Sequence, residues 1–155
     1  MDNTLARRGS EELRALFRTA ACPDLAEVTG RLEAELAGPA LVRALAPIAF
    51  RLTGLADWWG KDLRPAPAGD GLTGYNLAGP RGESATLPLR ATIGPSRLDG
   101  APAVVVSYAS DAPFPWRRVV DDLRILSDGT VLGLTFGLPF TSRGGSPFLL
   151  RREVR

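Results

Sequence analysis

The sequence predicts an α+β domain, with N-terminal helices followed by an antiparallel sheet that is either strongly bent or closed into a small barrel. Three features support this: helical spacing of apolar residues early in the chain, clustered glycines and prolines in the middle, and apolar–polar alternation afterwards. Its 155 residues are the usual length of one domain. We therefore expect a single domain with a helical segment over 1–63, a loop or lid over 64–84 and an antiparallel β segment over 85–155.

Three helices are expected in the helical segment. The first is capped by Ser10 and ends before Pro23, and the second follows Asp24, with Glu27 completing a capping box. The third is a core helix from about 39 to 52. The apolar stripes are Leu13, Leu16, Phe17 and Ala20 in the first helix, Leu25, Val28, Leu32 and Leu36 in the second, and Leu41, Leu45, Ile48 and Leu52 in the third. We expect the second stripe to face the sheet.

The β segment is predicted from alternation and from its turns. Pro88 should place the first strand at an edge or at a bulge, and Asp128-Gly129 between two alternating runs indicates a hairpin. The predicted strands begin at Ala85 and continue over 103–108, 119–126, 130–138 and 147–154.

The residue inventory limits the chemistry. The chain has no histidine, which excludes a Ser-His-Asp triad, a Cys-His pair and a His-containing zinc site, and its one cysteine excludes a thiolate metal cluster. The glycines from Gly69 to Gly74 precede no predicted helix, and the G-x-x-x-x-G-K-[ST] phosphate loop does not occur. We therefore expect no metal and no cofactor. Carboxylate, tyrosine, lysine and arginine chemistry remains available.

Charge and cysteine usage bear on partners and location. The 19 basic and 17 acidic residues are interspersed, which argues against nucleic-acid binding. A lone Cys22 fits a reducing compartment, so we expect a cytoplasmic protein. The longest apolar stretch is interrupted by Arg43, Pro47 and Arg51, and we expect no membrane span. A long apolar edge strand could pair across a homodimer.

Two adjacent carboxylates are the leading catalytic candidates. In a strand, Asp121 and Asp122 must face opposite sides, and Asp121 shares its face with Leu123 and Ile125. We therefore expect Asp121 to point inward, where burial would favour a general acid or base. Asp122 shares its face with Arg124, whose charge suits water. The alternative is a solvated carboxylate paired with a nearby arginine.

Lys61 and Tyr108 are further catalytic candidates. A buried lysine can act as a base, a Schiff-base amine or an electrostatic clamp. Tyr108 ends an apolar strand and can supply a hydrogen bond inside a cavity. The residues predicted to bind a ligand are Trp58, Trp59, Tyr75, Asn76, Trp116 and Arg118. Tryptophans beside Lys61 are equally consistent with a structural core that closes a helix onto the sheet.

Several of these positions resemble bacterial GXWXG-type proteins. The resemblance is carried by Ala56-Asp57-Trp58-Trp59-Gly60-Lys61, Tyr108, Pro115, Arg118, Asp121 or Asp122, and Gly129-Thr-Val-Leu-Gly133. Ala56 stands where the family name has its first glycine. The resemblance covers about half of the chain. It implies a small lipocalin-like β-barrel of largely unassigned function, and it transfers no catalytic residue.

Three functions fit these observations. The first is a cofactor-independent enzyme of the cyclase, isomerase or dehydratase type, which encloses a hydrophobic, natural-product-like small molecule. The second is a non-catalytic carrier of a hydrophobic ligand or lipid. The third is a structural module with a filled interior. A cavity that contains an aspartate, Lys61 and Tyr108 would favour chemistry.

Overall fold

The computed structural model describes residues 4–139 and 143–154. Over these residues the fold is a closed antiparallel barrel in which each strand pairs with its neighbours in sequence and the last strand pairs with the first. The strands are β1 (Gly30–Leu36), β2 (Trp58–Pro65), β3 (Leu72–Ala78), β4 (Ser84–Pro95), β5 (Pro102–Tyr108), β6 (Val120–Ile125), β7 (Val131–Phe136) and β8 (Ser146–Arg152). Helix α1 (Ser10–Thr19) precedes the barrel, and helix α2 (Ala40–Leu52) lies between β1 and β2. The chain is therefore mostly β.

The first helix and the hairpin are confirmed, but the predicted cap is wrong, since Gly9 occupies the N-cap position and no side chain caps the helix. Helix α1 begins at Ser10 and buries Leu13 and Phe17. Strands β6 and β7 pair on either side of the turn that contains Asp128-Gly129. Strand β4 has the bulge expected near Pro88, since its pairing with β3 shifts register there and Leu87 has a φ of 52°.

The second predicted helix is wrong. Leu25–Val28 forms one 3-10 turn with the expected capping box of Asp24 and Glu27, and the chain then enters β1. The turn ends at Thr29, whose backbone is already extended, and Gly30 follows it with a φ of 108°. Leu32 is buried in the barrel interior and Glu33 is exposed. The alternation of apolar and charged residues from Gly30 to Leu36 has a period of two, and this signal prevails over the helical spacing.

The predicted division at 63 and 84 is also wrong. Strand β1 and most of β2 lie within the segment expected to be helical, and β3 lies within the expected loop. The glycines there serve strand packing as well as turns. Gly74 lies inside β3, where an added Cβ would come within 1.8 Å of the Asp62 carbonyl oxygen. Gly71 forms part of the β2–β3 turn with a φ of 88°.

Helix α2 forms where it was predicted but is not a core helix. None of its residues is fully buried, and the apolar stripe that we expected to pack inward faces solvent instead. The exposed residues of this stripe are Leu41, Leu45, Ile48 and Leu52. Phe50, on the opposite side of the helix, packs against the barrel core. Pro47 lies inside the helix without ending it. Within the described part of the chain, no helix has the length and hydropathy to cross a membrane.

Two apolar clusters stabilise the fold. The larger fills the barrel interior, and the smaller packs α1 against the outer surface of the barrel wall. Leu13 and Phe17 of α1 contribute to the outer cluster together with Leu132, Leu134 and Leu149. Helix α2 lies elsewhere, at the end of the barrel where β1 finishes and β2 starts.

Candidate functional site

Four strands direct polar side chains to one point inside the barrel. Lys61 comes from β2, Asn76 from β3, Tyr108 from β5 and Asp121 from β6, and all four are buried. The Lys61 ammonium donates to Asn76 Oδ1 at 2.9 Å and to the Tyr108 hydroxyl at 2.8 Å, and it forms an ion pair with Asp121 Oδ2 at 2.9 Å. Three acceptors therefore surround the three hydrogens of one ammonium group.

Further hydrogen bonds close this arrangement into a network. The Tyr108 hydroxyl donates to Asp121 Oδ2 at 3.0 Å and accepts from Asn76 Nδ2 at 3.0 Å. Thr135 of β7 donates its hydroxyl hydrogen to Asp121 Oδ1 at 2.8 Å. We call Lys61, Asn76, Tyr108, Asp121 and Thr135 the polar cluster. Both oxygens of its carboxylate therefore have hydrogen-bond donors within the protein.

The electrostatic balance determines what the cluster can do near neutral pH. Burial alone would lower the pKa of Lys61, but the nearby Asp121 carboxylate and Tyr108 outweigh it and the pKa is raised above its ordinary value. Burial, together with Asp121, raises the pKa of Tyr108 to about 12. Lys61 is therefore a cation and Tyr108 a neutral phenol. A charged amine cannot attack a carbonyl, so the geometry supports a clamp for Lys61 over a Schiff-base nucleophile.

Aromatic side chains enclose the ammonium. Lys61 Nζ lies 5.5 Å from the ring centroid of Trp58, 5.4 Å from that of Tyr108 and 5.9 Å from that of Phe148. Phe50 of α2 meets Trp58 edge to face at 5.5 Å. Rings at these distances stabilise a cation in a site with little water.

Two cavities adjoin this region. A small one of about 10 Å³, room for roughly one water, borders the polar cluster itself. A larger apolar groove of about 290 Å³ lies between α2 and the barrel end. Phe50, Trp58 and Thr135 line both. The groove and the cluster are therefore separated only by side chains, and the Phe50 ring is carried by a helix that has no buried residue.

Six of the predicted site residues meet at this place. Lys61, Tyr108 and Asp121 belong to the polar cluster, as does Asn76, and Trp58 and Trp116 line the small cavity. The Trp116 indole also donates to the Thr53 carbonyl oxygen at 2.7 Å and so fixes the chain directly after α2.

Three residues predicted to bind ligand lie elsewhere. Trp59 faces outward, where the Arg31 guanidinium stacks 4.7 Å from the centroid of its ring. Tyr75 and Arg118 are exposed. Tyr75 faces outward by ordinary alternation, because it precedes the inward-facing Asn76 in β3. Trp59 is displaced by a bulge, since the pairing of β2 with β3 shifts register between Trp58 and Gly60. A bulge changes which neighbour points inward. Arg118 ends a short 3-10 turn outside β6.

Asp122 lies on the opposite face of β6 from Asp121, as alternation predicts, but it is also fully buried. Its Oδ2 accepts from Ser96 Oγ at 2.9 Å and from the Arg97 backbone N–H at 2.7 Å. Its Oδ1 has no hydrogen-bond partner among the described residues. Burial raises the pKa of this carboxyl group. The residue does not contact the polar cluster, so the structure does not bring the two predicted carboxylates into one site.

Arg124 corrects a further expectation. Its charge was expected to lie in water, yet the residue is buried beneath α1. Both terminal nitrogens donate to Asp99 at 2.7 Å, and Nη1 also donates to the Phe17 carbonyl oxygen. Helix α1 covers this face of the barrel wall, which excludes water from it.

Sequence reasoning missed Thr135 and Phe50. Thr135 had a usable signal, because a hairpin centred on Asp128 places it directly opposite Asp121, and this register is observed. Phe50 had none, since its position depends on which side of α2 faces the barrel. Among the described residues, no three His, Cys, Asp or Glu side chains come together as metal ligands would.

Fold and site together define the class of this protein as a closed, eight-stranded antiparallel barrel with a buried polar cluster beneath a helix. A similar fold occurs in the crystal structure of a protein from Thermomonospora curvata, with a TM-score of 0.55, 18% identity, and coverage of 96% of this chain and 90% of that one. At that identity the likeness concerns the fold alone. No family model matches the chain, and no curated protein does either. The resemblance to GXWXG-type proteins therefore stays a prediction.

Proposed function

We propose that this barrel is a cofactor-independent enzyme of the cyclase, isomerase or dehydratase type, acting on a hydrophobic, natural-product-like small molecule. One observation carries the proposal: an apolar groove and a buried cluster of lysine, tyrosine and aspartate share Phe50, Trp58 and Thr135 as lining residues. Eight-stranded barrels of the lipocalin type can hold one small ligand, and in this barrel, whose interior is filled, the space lies in the groove between α2 and the barrel end. A hydrophobic molecule in the groove would direct its polar end toward the cluster.

The cost of the ion pair supports a functional role for the cluster. Burying Lys61 and Asp121 removes both charges from water, and a buried pair often contributes no more stability than apolar residues of the same volume would. Its retention in the barrel interior is better explained by chemistry than by stability. A fixed ammonium and a neutral phenol are suitable donors for an oxygen that gains negative charge in a transition state.

The proposed roles follow from the contacts. A substrate carbonyl oxygen would replace the single water that the small cavity can hold, and it would accept hydrogen bonds from Lys61 and Tyr108. Asp121 would accept the proton from the adjacent carbon, because it is the carboxylate of the cluster. Thr135 would hold the second carboxylate oxygen in place. Enolisation of this kind is the first step of many isomerisations and cyclisations.

Access requires Phe50 to move. Its ring packs on Trp58 and Trp116 between the groove and the cluster. Gly38 precedes α2 with a φ of 111° and Gly54 follows it with a φ of 85°. Backbone of that kind on both sides gives the helix two points of rotation.

The test measures proton transfer without knowledge of the natural substrate. Hydrophobic cyclic ketones are incubated with the protein in deuterium oxide, and exchange at the carbon next to the carbonyl is followed by proton NMR. We expect exchange faster than in buffer, and a loss of roughly 10² to 10⁴ in Asp121→Asn, since amide replaces the base but keeps the shape.

Asp122→Asn is the matched control, because this carboxylate lies one residue away on the outer face of the same strand. It should exchange at the wild-type rate. Equal exchange in the wild type and in Asp121→Asn would contradict the catalytic proposal.

The second candidate is a carrier of a hydrophobic ligand. It is favoured by the fact that all three hydrogens of the Lys61 ammonium already have acceptors within the protein. Binding of the same ketones is measured through the fluorescence of Trp58, which lines both cavities, and of Trp116, which lines the small one. Saturable quenching without exchange would identify a carrier.

A further inference from the structure

We propose that the end of the barrel that carries α2 docks on an anionic lipid surface. The proposal concerns the outer side of α2 and the three loops beside it, which play no part in the polar cluster. It is independent of the proposed function, because a barrel that carries or converts any ligand, or none, could dock in this way.

The first observation is the outer face of α2. Leu41, Leu45, Ile48 and Leu52 follow one another at intervals of four, three and four residues and so form a single stripe. Each is more than half exposed, and Leu52 is 81% exposed. A continuous exposed stripe of large aliphatic residues is unusual on a monomer and marks a site of interaction.

The second observation is the distribution of exposed apolar residues. In an up-and-down barrel, alternate connections lie at the same end, so the chain between β5 and β6 lies at the end that carries α2. It exposes Phe114 by 58%. Its neighbour Trp116 is bonded to the residue that follows α2, which confirms the proximity. The opposite end exposes two large aliphatic residues among those described, Ile93 and Val154.

The third observation is charge. The connections at the α2 end, over 37–57, 79–83, 109–119, 137–139 and 143–145, contain six arginines and three acidic residues. The arginines are Arg43, Arg51, Arg81, Arg117, Arg118 and Arg143, and the acidic residues are Asp57, Glu83 and Asp111. Helix α2 itself contains no acidic residue. This surplus suits phosphate groups, which arginine binds well.

The exposed apolar stripe and the surplus of arginines together favour a lipid surface over a second copy of the chain. Two such ends placed face to face would bury the apolar stripes but would also bring arginines against arginines, since few acidic residues are available to pair with them. At an anionic lipid surface the apolar stripe enters the boundary between headgroups and acyl chains while the arginines stay at the phosphates.

The experiment uses the full chain and sedimentation with vesicles. One set is pure phosphatidylcholine and the other contains added phosphatidylglycerol. We expect binding to the anionic vesicles that weakens as salt is raised. Leu41→Gln/Leu52→Gln should reduce the partition coefficient at least about tenfold, because two large aliphatic groups no longer enter the lipid. These two residues border neither cavity.

Two matched variants separate apolar from charged contributions. Ile93→Gln, at the other end of the barrel, should bind as the wild type does. Arg117→Gln/Arg118→Gln should weaken binding to anionic vesicles with little effect on phosphatidylcholine, whereas Arg97→Gln should change neither. Circular dichroism checks that every variant is folded.

The proposal is overturned by any of three results. The wild type fails to bind anionic vesicles, or Leu41→Gln/Leu52→Gln binds as well as Ile93→Gln does. The third is a dimer in sedimentation velocity that disappears in Leu41→Gln/Leu52→Gln while no vesicle binding occurs, which would assign the stripe to a second copy of the chain.

Discussion

The two faces of strand β6 each carry an aspartate, and the two aspartates differ in how many partners surround their oxygens. Asp121, on the inner face, has an ammonium and two hydroxyl groups around its oxygens. Asp122, on the outer face, has partners for one oxygen and none among the described residues for the other. Both are buried. Burial alone therefore does not determine how completely the oxygens of a carboxyl group are paired.

A second contrast concerns the two buried cations. Lys61 is paired with a carboxylate that has almost no exposure, whereas Arg124 is paired with Asp99, whose side chain is 20% exposed. Water can reach Asp99 if its partner is removed, but it cannot readily reach Asp121. The inner pair should therefore be the less tolerant of change.

The largest expected effect breaks the inner pair. Lys61→Met keeps most of the side-chain volume and leaves Asp121 buried without its cation, which should cost about 3–5 kcal/mol of unfolding free energy. Arg124→Met is the comparison and should cost about 1–3 kcal/mol, because Asp99 regains water. Urea unfolding at neutral pH measures both. Equal losses would show that the exposure of the remaining carboxylate does not matter.

A smaller effect is expected from pH. Because the folded pKa of Asp122 is raised, the folded chain binds this proton more tightly than the unfolded chain, whose aspartate titrates near about 3.9. Its contribution to stability is complete below that pH and is lost as pH rises through the folded pKa. The asparagine in Asp122→Asn does not titrate. Urea unfolding should therefore show that the unfolding free energy of this variant rises relative to that of the wild type between acidic and neutral pH.

Asp99→Asn provides the opposite sign. Hydrogen bonds from Arg124 are the main cause of the lowered pKa of Asp99 in the folded chain. Its contribution is present above the unfolded pKa and is lost as pH falls. The unfolding free energy of Asp99→Asn, relative to that of the wild type, should therefore fall as pH rises. Parallel pH profiles for the two variants would contradict the assignment of different environments.

The smallest effect concerns Tyr108 at alkaline pH. Its folded pKa of about 12 exceeds the value of about 10 expected when the chain is unfolded. Stability should therefore fall as pH rises from about 10 to about 12, and Tyr108→Phe should abolish that part of the decline. Ultraviolet absorbance of phenolate follows the ionisation directly. Since Tyr75 contributes to both spectra, the comparison is of amplitude. If Tyr108→Phe loses part of the phenolate absorbance that the wild type gains near pH 10, the Tyr108 hydroxyl titrates normally and the prediction is wrong.

Local patterns predicted the β5–β7 region well and the first half of the chain poorly. Alternation and the Asp-Gly turn define β6 and β7, and with them the opposite orientations of Asp121 and Asp122. In contrast, the run from Leu25 to Leu36 satisfies both a helical spacing and a period of two. The pairing of β1 with β8 selects the strand. A local pattern could not predict this, because the paired residues are more than a hundred positions apart in the sequence.

The sequence predicted the kinds of residue that form the candidate site better than it predicted which particular residues meet there. Lys61, Tyr108 and Asp121 are ionisable groups near apolar runs, which marks them in the sequence. The structure places Trp59 and Tyr75 outside the polar cluster, Trp59 because of a bulge in β2 and Tyr75 because it alternates with the inward-facing Asn76. The solvent exposure of the stripe on α2 was not predictable either, since an amphipathic pattern does not state which side is covered.

The order of strands in the barrel has a kinetic consequence. Seven of its eight pairings join strands that follow one another, and all of these except β1–β2, which α2 separates, can form as local hairpins with a small loss of loop entropy. Lys61 and Asp121, however, belong to β2 and β6 and meet across the interior. Their ion pair cannot exist in any single hairpin. During refolding the ion pair can therefore form only when the hairpin that contains β2 meets the hairpin that contains β6. We expect Lys61→Met to leave the formation of each hairpin unchanged and to slow their assembly into the barrel.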